Sequence, residues 1–218
     1  ISLLRATSPG IPRLGIDKYY HGNEALHGVV RPGRFTVFPQ AIGLAATWNP
    51  ELQKRVATVI SDEARARWNE LDQGREQKEQ FSDVLTFWSP TVNMARDPRW
   101  PRVWENYGED CLVNAIMGST AVRGFQGDDP NHIPADRIAT SVKHYMGYSM
   151  PRTGKDRTPA YISVSELREK CFAPFKACVE AGALTIMVNS GSINGKPVHA
   201  DRELLTQWLK EDLGWDGM

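Results

Sequence analysis

The sequence predicts an α/β fold, and a barrel of alternating β-strands and α-helices fits it better than a doubly wound sheet. Short apolar runs alternate with longer amphipathic segments, a pattern typical of a parallel sheet covered by helices. Polar residues recur directly after the apolar runs, where barrels and doubly wound sheets both bind ligands. The chain has no GxGxxG or GxxxxGK[ST] motif to hold a nucleotide, and this favours the barrel. We treat residues 1–218 as part of one barrel domain.

The first predicted elements are a helix and a strand. Residues 51–69 carry apolar side chains at helical spacing, with Asn49 as the expected cap and Pro50 in the first turn. The segment 72–80 is expected to be a solvent-exposed loop. The apolar run VLTFW at 84–88 then predicts a strand.

Further helices and strands follow in the same alternation. Ser163 and Glu166 have capping-box spacing before a helix that is expected to run to about Gly182, and Asp201 is expected to cap the last helix. The other predicted elements are a helix at 109–124, strands at 138–142 and 184–189, and a helix at 202–213.

The composition excludes several classes of function. The 26 basic residues balance the 26 acidic ones, so nothing indicates a nucleic-acid partner. No apolar run approaches the roughly 20 residues that span a bilayer, so we expect no membrane partner. The three cysteines lack metal-binding spacing and are expected to be buried free thiols: Cys111, Cys171 and Cys178. We expect no cofactor and no metal.

The dipeptide Lys143–His144 is the sharpest local signal for a site. It follows the predicted strand 138–142, as Arg96 follows 84–88. At the end of a strand both side chains can turn towards one ligand and donate hydrogen bonds to it. An ordinary surface pair is the alternative.

The segment 94–110, MARDPRWPRVWENYGED, mixes arginines and carboxylates with two Trp and two Pro. This mixture indicates a rigid, partly buried loop that presents Arg side chains to a polar ligand. A structural ion-pair network explains it equally well. Glu24 lies in a glycine-punctuated loop between His21 and His27, but no second cluster with metal-ligand spacing supports a metal site there.

Eight stretches, in order along nearly the whole chain, give the sequence a specific resemblance. They are GNEALHG (22–28), FPQAIGLAATW (38–48), ARDPRW (95–100), NYGED (106–110), VRGFQG (122–127), KHY (143–145), MVNSGSINGKPVHA (187–200) and LLTQWLKEDLGWDGM (204–218). Together they resemble glycoside hydrolase family 3, the β-glucosidase and β-xylosidase family. This resemblance implies an α/β fold of the (β/α)8 TIM-barrel type, incomplete within these 218 residues.

The resemblance implies a set of sugar-binding residues in the −1 subsite. Glu24 matches the acidic residue that binds sugar hydroxyls, and Met187 matches a residue that lines the same pocket. The other expected sugar-binding residues are Arg96, Lys143, His144 and Arg157. By contrast, Arg99, Trp100, Arg102 and Glu105 are expected to shape the 94–110 loop.

The resemblance also implies retention of configuration through two carboxylates about 5 Å apart. The nucleophilic Asp of the family is expected about four residues after Met218, and the acid/base farther on, so no catalytic carboxylate is assigned within the chain. Asp97, Glu105 and Asp110 are candidates within the chain for the nucleophile and the acid/base, but each fits better as a partner of a neighbouring Arg. The chain is therefore expected to be a fragment, a nicked subunit or a truncated form, and inactive by itself.

The function implied is hydrolysis of terminal non-reducing β-D-glucosidic bonds by double displacement. A β-xylosidase of the same family and a non-catalytic sugar-binding or scaffold fragment are the alternatives. Expected partners are a β-linked oligosaccharide or glycoside and the part of the enzyme, or another chain, that completes the barrel. Family analogy favours a periplasmic or secreted location.

Overall fold

The computed structural model describes residues 7–16, 18–20, 22–30, 33–72 and 85–218. His21 lies outside the described residues, and so does the predicted loop at 72–80 apart from its first residue. The predicted strand at 84–88 is described from residue 85 onwards.

Five helices of α or π type are found among the described residues. They are α1 (Ala41–Ala45), α2 (Pro50–Asp72), α3 (Cys111–Gln126), α4 (the consecutive segments Val164–Glu166, Leu167–Phe172 and Ala173–Glu180) and α5 (Glu203–Asp212). The middle segment of α4 and the whole of α5 have π-helical hydrogen bonding. A short 3-10 turn, Val103–Glu105, lies in the 94–110 loop.

Three helix starts have the caps that the sequence predicts. Asn49 Oδ1 accepts a hydrogen bond from the Leu52 amide at 3.0 Å, and Ser163 Oγ accepts one from the Glu166 amide at 3.2 Å. Asp201 Oδ1 accepts from the first turn of α5 at 3.0 Å. These side chains satisfy amide groups that a helix N-terminus leaves unpaired, so local sequence sets where these helices begin.

Asp110 corrects one expectation about the carboxylates. It was expected to pair with a neighbouring Arg, but its Oδ1 accepts hydrogen bonds from the amides of Leu112 and Val113 at 2.8 and 3.0 Å. Asp110 is therefore the N-cap of α3. Because the cap residue itself is not helical, the helix begins at Cys111 rather than at the predicted residue 109.

A three-stranded parallel sheet forms the centre of the fold. Its strands are β3 (Thr86–Phe87), β4 (Ala139–Tyr145) and β5 (Thr185–Val188), in the order β3-β4-β5. Two small antiparallel hairpins are separate from it: β1 (Thr7–Ser8) with β2 (Tyr19–Tyr20), and β6 (Ser192–Ile193) with β7 (Lys196–Pro197). The α/β prediction is confirmed, with strands of the sheet separated in sequence by helices.

The parallel pairing continues beyond both edges of this sheet. On one side Asn23 forms a parallel bridge with Phe87. On the other side the Met218 carbonyl accepts a hydrogen bond from the Ile186 amide at 2.8 Å. The result is an arc of five neighbouring chain segments, of which three are regular strands. The closed eight-stranded barrel stays a prediction.

β4 is longer than the sequence indicates. The predicted strand ends at residue 142, whereas β4 runs to Tyr145 and is buried along its whole length. Lys143 and His144 therefore lie within a buried strand rather than directly after it. Apolar runs locate a buried strand only while its residues are apolar, and polar residues that find partners inside the protein escape that signal.

The core has two parts. The larger apolar cluster packs β4 and β5 against α3, α4 and α5, with Val142, Phe175 and Trp208 among its buried members. The smaller cluster packs α2 against α3 and includes Ala57 and Phe125.

The cysteines are free thiols, with Cys171 and Cys178 buried and Cys111 half-buried. Among the described helices, none is both long enough and apolar enough to cross a bilayer.

Candidate functional site

A buried ion pair joins the first and third segments of the arc. Lys143 Nζ of β4 donates hydrogen bonds to both carboxylate oxygens of Glu24, each at 2.7 Å. The Lys143 side chain is 1% exposed and that of Glu24 is 30% exposed. Burial lowers the pKa of Lys143, while the charge of Glu24 acts in the opposite direction. Glu24 is thus the counterion of a buried ammonium and keeps part of its carboxylate open to solvent.

His144 is fixed by a chain of amide groups. Asn93 Oδ1 accepts from the His144 backbone amide at 3.1 Å, and Asn93 Nδ2 lies 3.3 Å from His144 Nδ1. Asn93 is itself oriented by Asn106 Oδ1, which accepts from its backbone and side-chain nitrogens at 3.1 and 3.2 Å. Because Asn93 Nδ2 is the donor, Nδ1 is the acceptor and the imidazole proton lies on Nε2. Burial lowers the pKa of His144 to about 2, so the ring is a neutral hydrogen-bond donor.

Met187 lies next to the ion pair on the neighbouring strand. It is the register partner of Lys143 in the β4–β5 ladder and is half-buried. Three of the residues that the resemblance assigned to one subsite (Lys143, His144 and Met187) are therefore adjacent in the sheet.

Tyr148 connects two arginines to this group. Arg102 Nη1 donates to the Tyr148 hydroxyl at 3.0 Å, and Arg157 Nε lies 3.4 Å from the same oxygen. The Tyr148 ring packs against the His144 ring, with 4.4 Å between centroids. The positive charges of Lys143, Arg102 and Arg157 add to burial in lowering the pKa of His144. Arg157 has a 67% exposed side chain, so it lies at the outer rim of the group.

Arg96 and Arg102 of the 94–110 loop lie in different surroundings, and the sugar-binding role of Arg96 stays a prediction. The guanidinium of Arg96 lies 3.7 Å from Glu166, and no contact among the described residues joins it to Lys143 or His144. Arg102, which is expected to shape the loop, pairs with Glu105 inside it and also donates to the Tyr148 hydroxyl. Three arginines occur within one short segment, and their spacing alone does not distinguish them.

Asp97 and Glu105, the other two carboxylates considered as catalytic candidates, are paired with arginines as predicted. Asp97 accepts from Arg99 Nε and Nη2 at 3.0 and 2.7 Å, and the side-chain hydrogen bonds of Arg99 lower the pKa of Asp97. Glu105 accepts from Arg102 Nε and Nη2 at 2.7 and 2.6 Å. Both carboxylates hold an arginine with a bidentate contact, an arrangement that fixes the guanidinium plane.

The chemistry of this group suits a neutral polyhydroxyl ligand. It combines a carboxylate acceptor, an ammonium donor, a neutral imidazole and a guanidinium at the carboxyl ends of parallel strands, where barrel enzymes bind their ligands. No group of three His, Cys, Asp or Glu side chains that could hold a metal occurs in the described part of the chain.

Residues 13–218 match the sequence model of the glycosyl hydrolase family 3 N-terminal domain. The chain belongs to this family. Family 3 relatives include β-D-xylosidase 1 of Arabidopsis thaliana, which is 38% identical over 214 residues, an alignment covering 92% of this chain and 26% of that protein.

Solved structures agree with this assignment. A β-glucosidase from Erythrobacter marinus superimposes with a TM-score of 0.81 and 34% identity, covering 91% of this chain and 24% of that one. A β-glucosidase from Listeria innocua in complex with glucose gives a TM-score of 0.79 at 27% identity, covering 94% and 26% of the two chains. The family 3 chain thus spans about a quarter of the length of the relatives it matches.

Proposed function

We propose that this chain supplies the sugar-binding part of the −1 subsite of a retaining β-glycosidase that acts on terminal non-reducing β-D-glucosyl groups. The observation that carries the proposal is the Glu24–Lys143 ion pair beside the neutral His144. A carboxylate and an ammonium that bond to each other can both re-pair with vicinal hydroxyls of one sugar. The glucose complex of a family 3 β-glucosidase supports this ligand class.

We propose further that the arc belongs to a (β/α)8 barrel completed by additional polypeptide. The Met218 amide donates to the Leu184 carbonyl at 3.3 Å and its carbonyl accepts from Ile186 at 2.8 Å, so Met218 lies opposite Thr185. A strand continuing in this register would set its fourth further residue opposite Asn189, at the carboxyl end of β5. An Asp there would lie on the ligand side of the arc and could serve as the nucleophile.

A β-xylosidase is the second candidate. It is favoured by the 38% identity to β-D-xylosidase 1 of Arabidopsis thaliana. The two sugars differ in the hydroxymethyl group at C5, which xylosides lack, so the discriminating quantity is the ratio of the two affinities.

The first test is binding of methyl β-D-glucopyranoside and methyl β-D-xylopyranoside to the chain, measured by calorimetry or ligand-observed NMR. We expect saturable binding that Lys143→Ala weakens by about tenfold or more, because a charged hydrogen bond to a hydroxyl is lost. Lys176→Ala is the matched control, since Lys176 is an exposed lysine on α4 whose ion pair with Glu180 is 3.8 Å long.

The second test is hydrolysis of aryl β-glucoside and aryl β-xyloside by the same chain. We expect no turnover, because Asp97 and Glu105 are paired with arginines and Asp110 accepts hydrogen bonds from backbone amides of α3. Turnover that Lys143→Ala abolishes would show that a carboxylate of this chain is catalytic. Absence of saturable binding for both glycosides would refute the subsite proposal. Saturable binding by a protein in which no additional polypeptide supplies the catalytic carboxylates would favour a sugar-binding module.

A further inference from the structure

A small polar cavity lies between α2 and the chain segment that follows β3. Its volume is about 10 Å³, and its lining includes Gln53 of α2 together with Ser89 and Thr91. Apolar side chains such as Ile60 and Phe125 form other parts of the wall. Ser89 and Thr91 are each 1% exposed and Gln53 is 5% exposed, so the cavity is inside the protein.

Three oxygen atoms of the lining residues lack a hydrogen-bond partner among the described residues. They are Gln53 Oε1, Ser89 Oγ and Thr91 Oγ1. The other end of the Gln53 amide is paired, because Nε2 donates to the Tyr107 hydroxyl at 3.1 Å. Buried side-chain polar atoms in folded proteins nearly always have a partner, either a protein group or an ordered water. Three unpaired oxygens in the lining of one cavity therefore indicate a common ligand.

We infer that this cavity is a binding site for one water molecule, held by Gln53 Oε1, Ser89 Oγ and Thr91 Oγ1. The volume matches the roughly 10–15 Å³ that one buried water requires, and three partners lie within the usual two to four. A water can donate to the amide oxygen while each hydroxyl either donates or accepts. A calcium ion fits poorly, because it needs six to eight oxygen ligands and the Glu105 carboxylate that also lines the cavity is held by Arg102.

The position of the site gives the water a structural role close to Lys143. Thr91 forms a parallel bridge with Lys143. The Lys143 amide donates to the Pro90 carbonyl at 3.1 Å, and the Lys143 carbonyl accepts from the Val92 amide at 2.9 Å. The water thus joins α2 to the backbone segment that pairs with Lys143, and it does so without touching the proposed sugar-binding groups.

The direct experiment is a crystal structure of the chain at a resolution that shows ordered water. We expect a single density peak within about 3.2 Å of at least two of the three oxygens. A peak at the shorter distances typical of a metal ion, about 2.3–2.6 Å, would overturn the inference, and so would an empty cavity.

Removal of the hydroxyls gives an independent test, because the change in the unfolding midpoint has opposite signs for a water-filled and a dry cavity. Thr91→Val and Ser89→Ala should each lower the unfolding midpoint, because the water loses a partner. If the cavity is dry, each variant removes an unpaired buried hydroxyl, and the midpoint should rise. Thr185→Val is the control, since that hydroxyl donates to the Thr140 carbonyl at 3.0 Å and its loss should lower the midpoint in either case. A higher midpoint for both cavity variants would refute the water site.

Discussion

Lys143 is a buried ammonium that depends on one counterion. Glu24→Gln leaves the buried Lys143 ammonium, which is 1% exposed, without its counterion, and we expect the free energy of unfolding to fall by about 3–5 kcal/mol. Lys143→Met should cost less, because the remaining Glu24 side chain is 30% exposed and its charge can be hydrated. Urea unfolding of both variants measures the difference. Equal losses, or a larger loss for Lys143→Met, would contradict this account of the pair.

His144 should stay neutral over the whole range in which histidines ordinarily titrate. Its pKa falls from 6.5 to about 2 on folding, so between these values the unfolded chain binds the proton and the folded chain does not. The stabilising effect of the neutral ring is complete above pH 6.5 and declines as the pH falls towards 2. NMR of the imidazole nitrogens should show an Nε2–H tautomer from pH 8 to pH 4. A titration midpoint between pH 5 and 7.5 would disprove it.

At the scale of single residues, sequence reasoning found the types of side chain but not all of their partners. The resemblance assigned Glu24 and Lys143 to one subsite, whereas nothing in the spacing pairs two residues that are 119 positions apart. The contacts of Tyr148 with two arginines were not predicted, because nothing in the sequence around a Tyr that follows a buried strand indicates which side chains reach its hydroxyl.

At the scale of elements, the packing of α2 against α3 depends on one glycine. A Cβ added at Gly124 would lie 2.5 Å from Ala57 Cβ and 2.7 Å from the Lys54 carbonyl oxygen. Gly124→Ala should therefore destabilise the protein by about 1–3 kcal/mol through overpacking, although alanine is the better helix former by about 1 kcal/mol.

Gly43→Ala in α1 is the matched control for this prediction. The nearest contact of its added Cβ would be Pro39 Cβ at an ordinary 3.6 Å, so the gain in helix propensity should appear as equal or higher stability. Thermal unfolding of the two variants is the measurement. Stabilisation by Gly124→Ala would show that the helices separate at little cost.

Helix starts were predicted well and strand ends poorly, for a physical reason. A cap is decided within four residues, so Asn49, Ser163 and Asp201 could be identified from the sequence. The end of β4 is decided by the neighbouring strand, since Lys143 pairs with Met187 and Tyr145 with Val188. The extension of β4 beyond residue 142 could not be predicted, because Lys143 and His144 are polar and their counterion and amide partners come from distant parts of the chain.

At the scale of the whole molecule, the described residues form an arc rather than a closed barrel and leave some apolar side chains exposed. Val37, Trp48 and Leu112 are 77%, 78% and 63% exposed, and strand edges that remain unpaired promote association. We expect the isolated chain to associate with itself or with a completing polypeptide, measured by light scattering on a sizing column. A monomer that unfolds in one cooperative step would contradict this.

The α/β class could be predicted because apolar runs and amphipathic helices are each recognisable from a short stretch of sequence, and the two alternate along the chain. Closure of a barrel is different, because it depends on strands that pair across long separations. The parallel bridge at Asn23 and the hydrogen bonds at Met218 extend the sheet at both sides, and no local sequence pattern predicts either contact.

The pairing of Glu24 with Lys143 also bears on the order of folding. Closing a loop of 119 residues has an entropic cost that later contacts must offset, so such pairs form slowly and late. During synthesis Glu24 emerges long before its lysine, and the helices between them can assemble first. Until the pair closes, Lys143 is best accommodated in water, which keeps the end of β4 out of the nascent core. The sheet centre and the ligand site should therefore mature in a single late step.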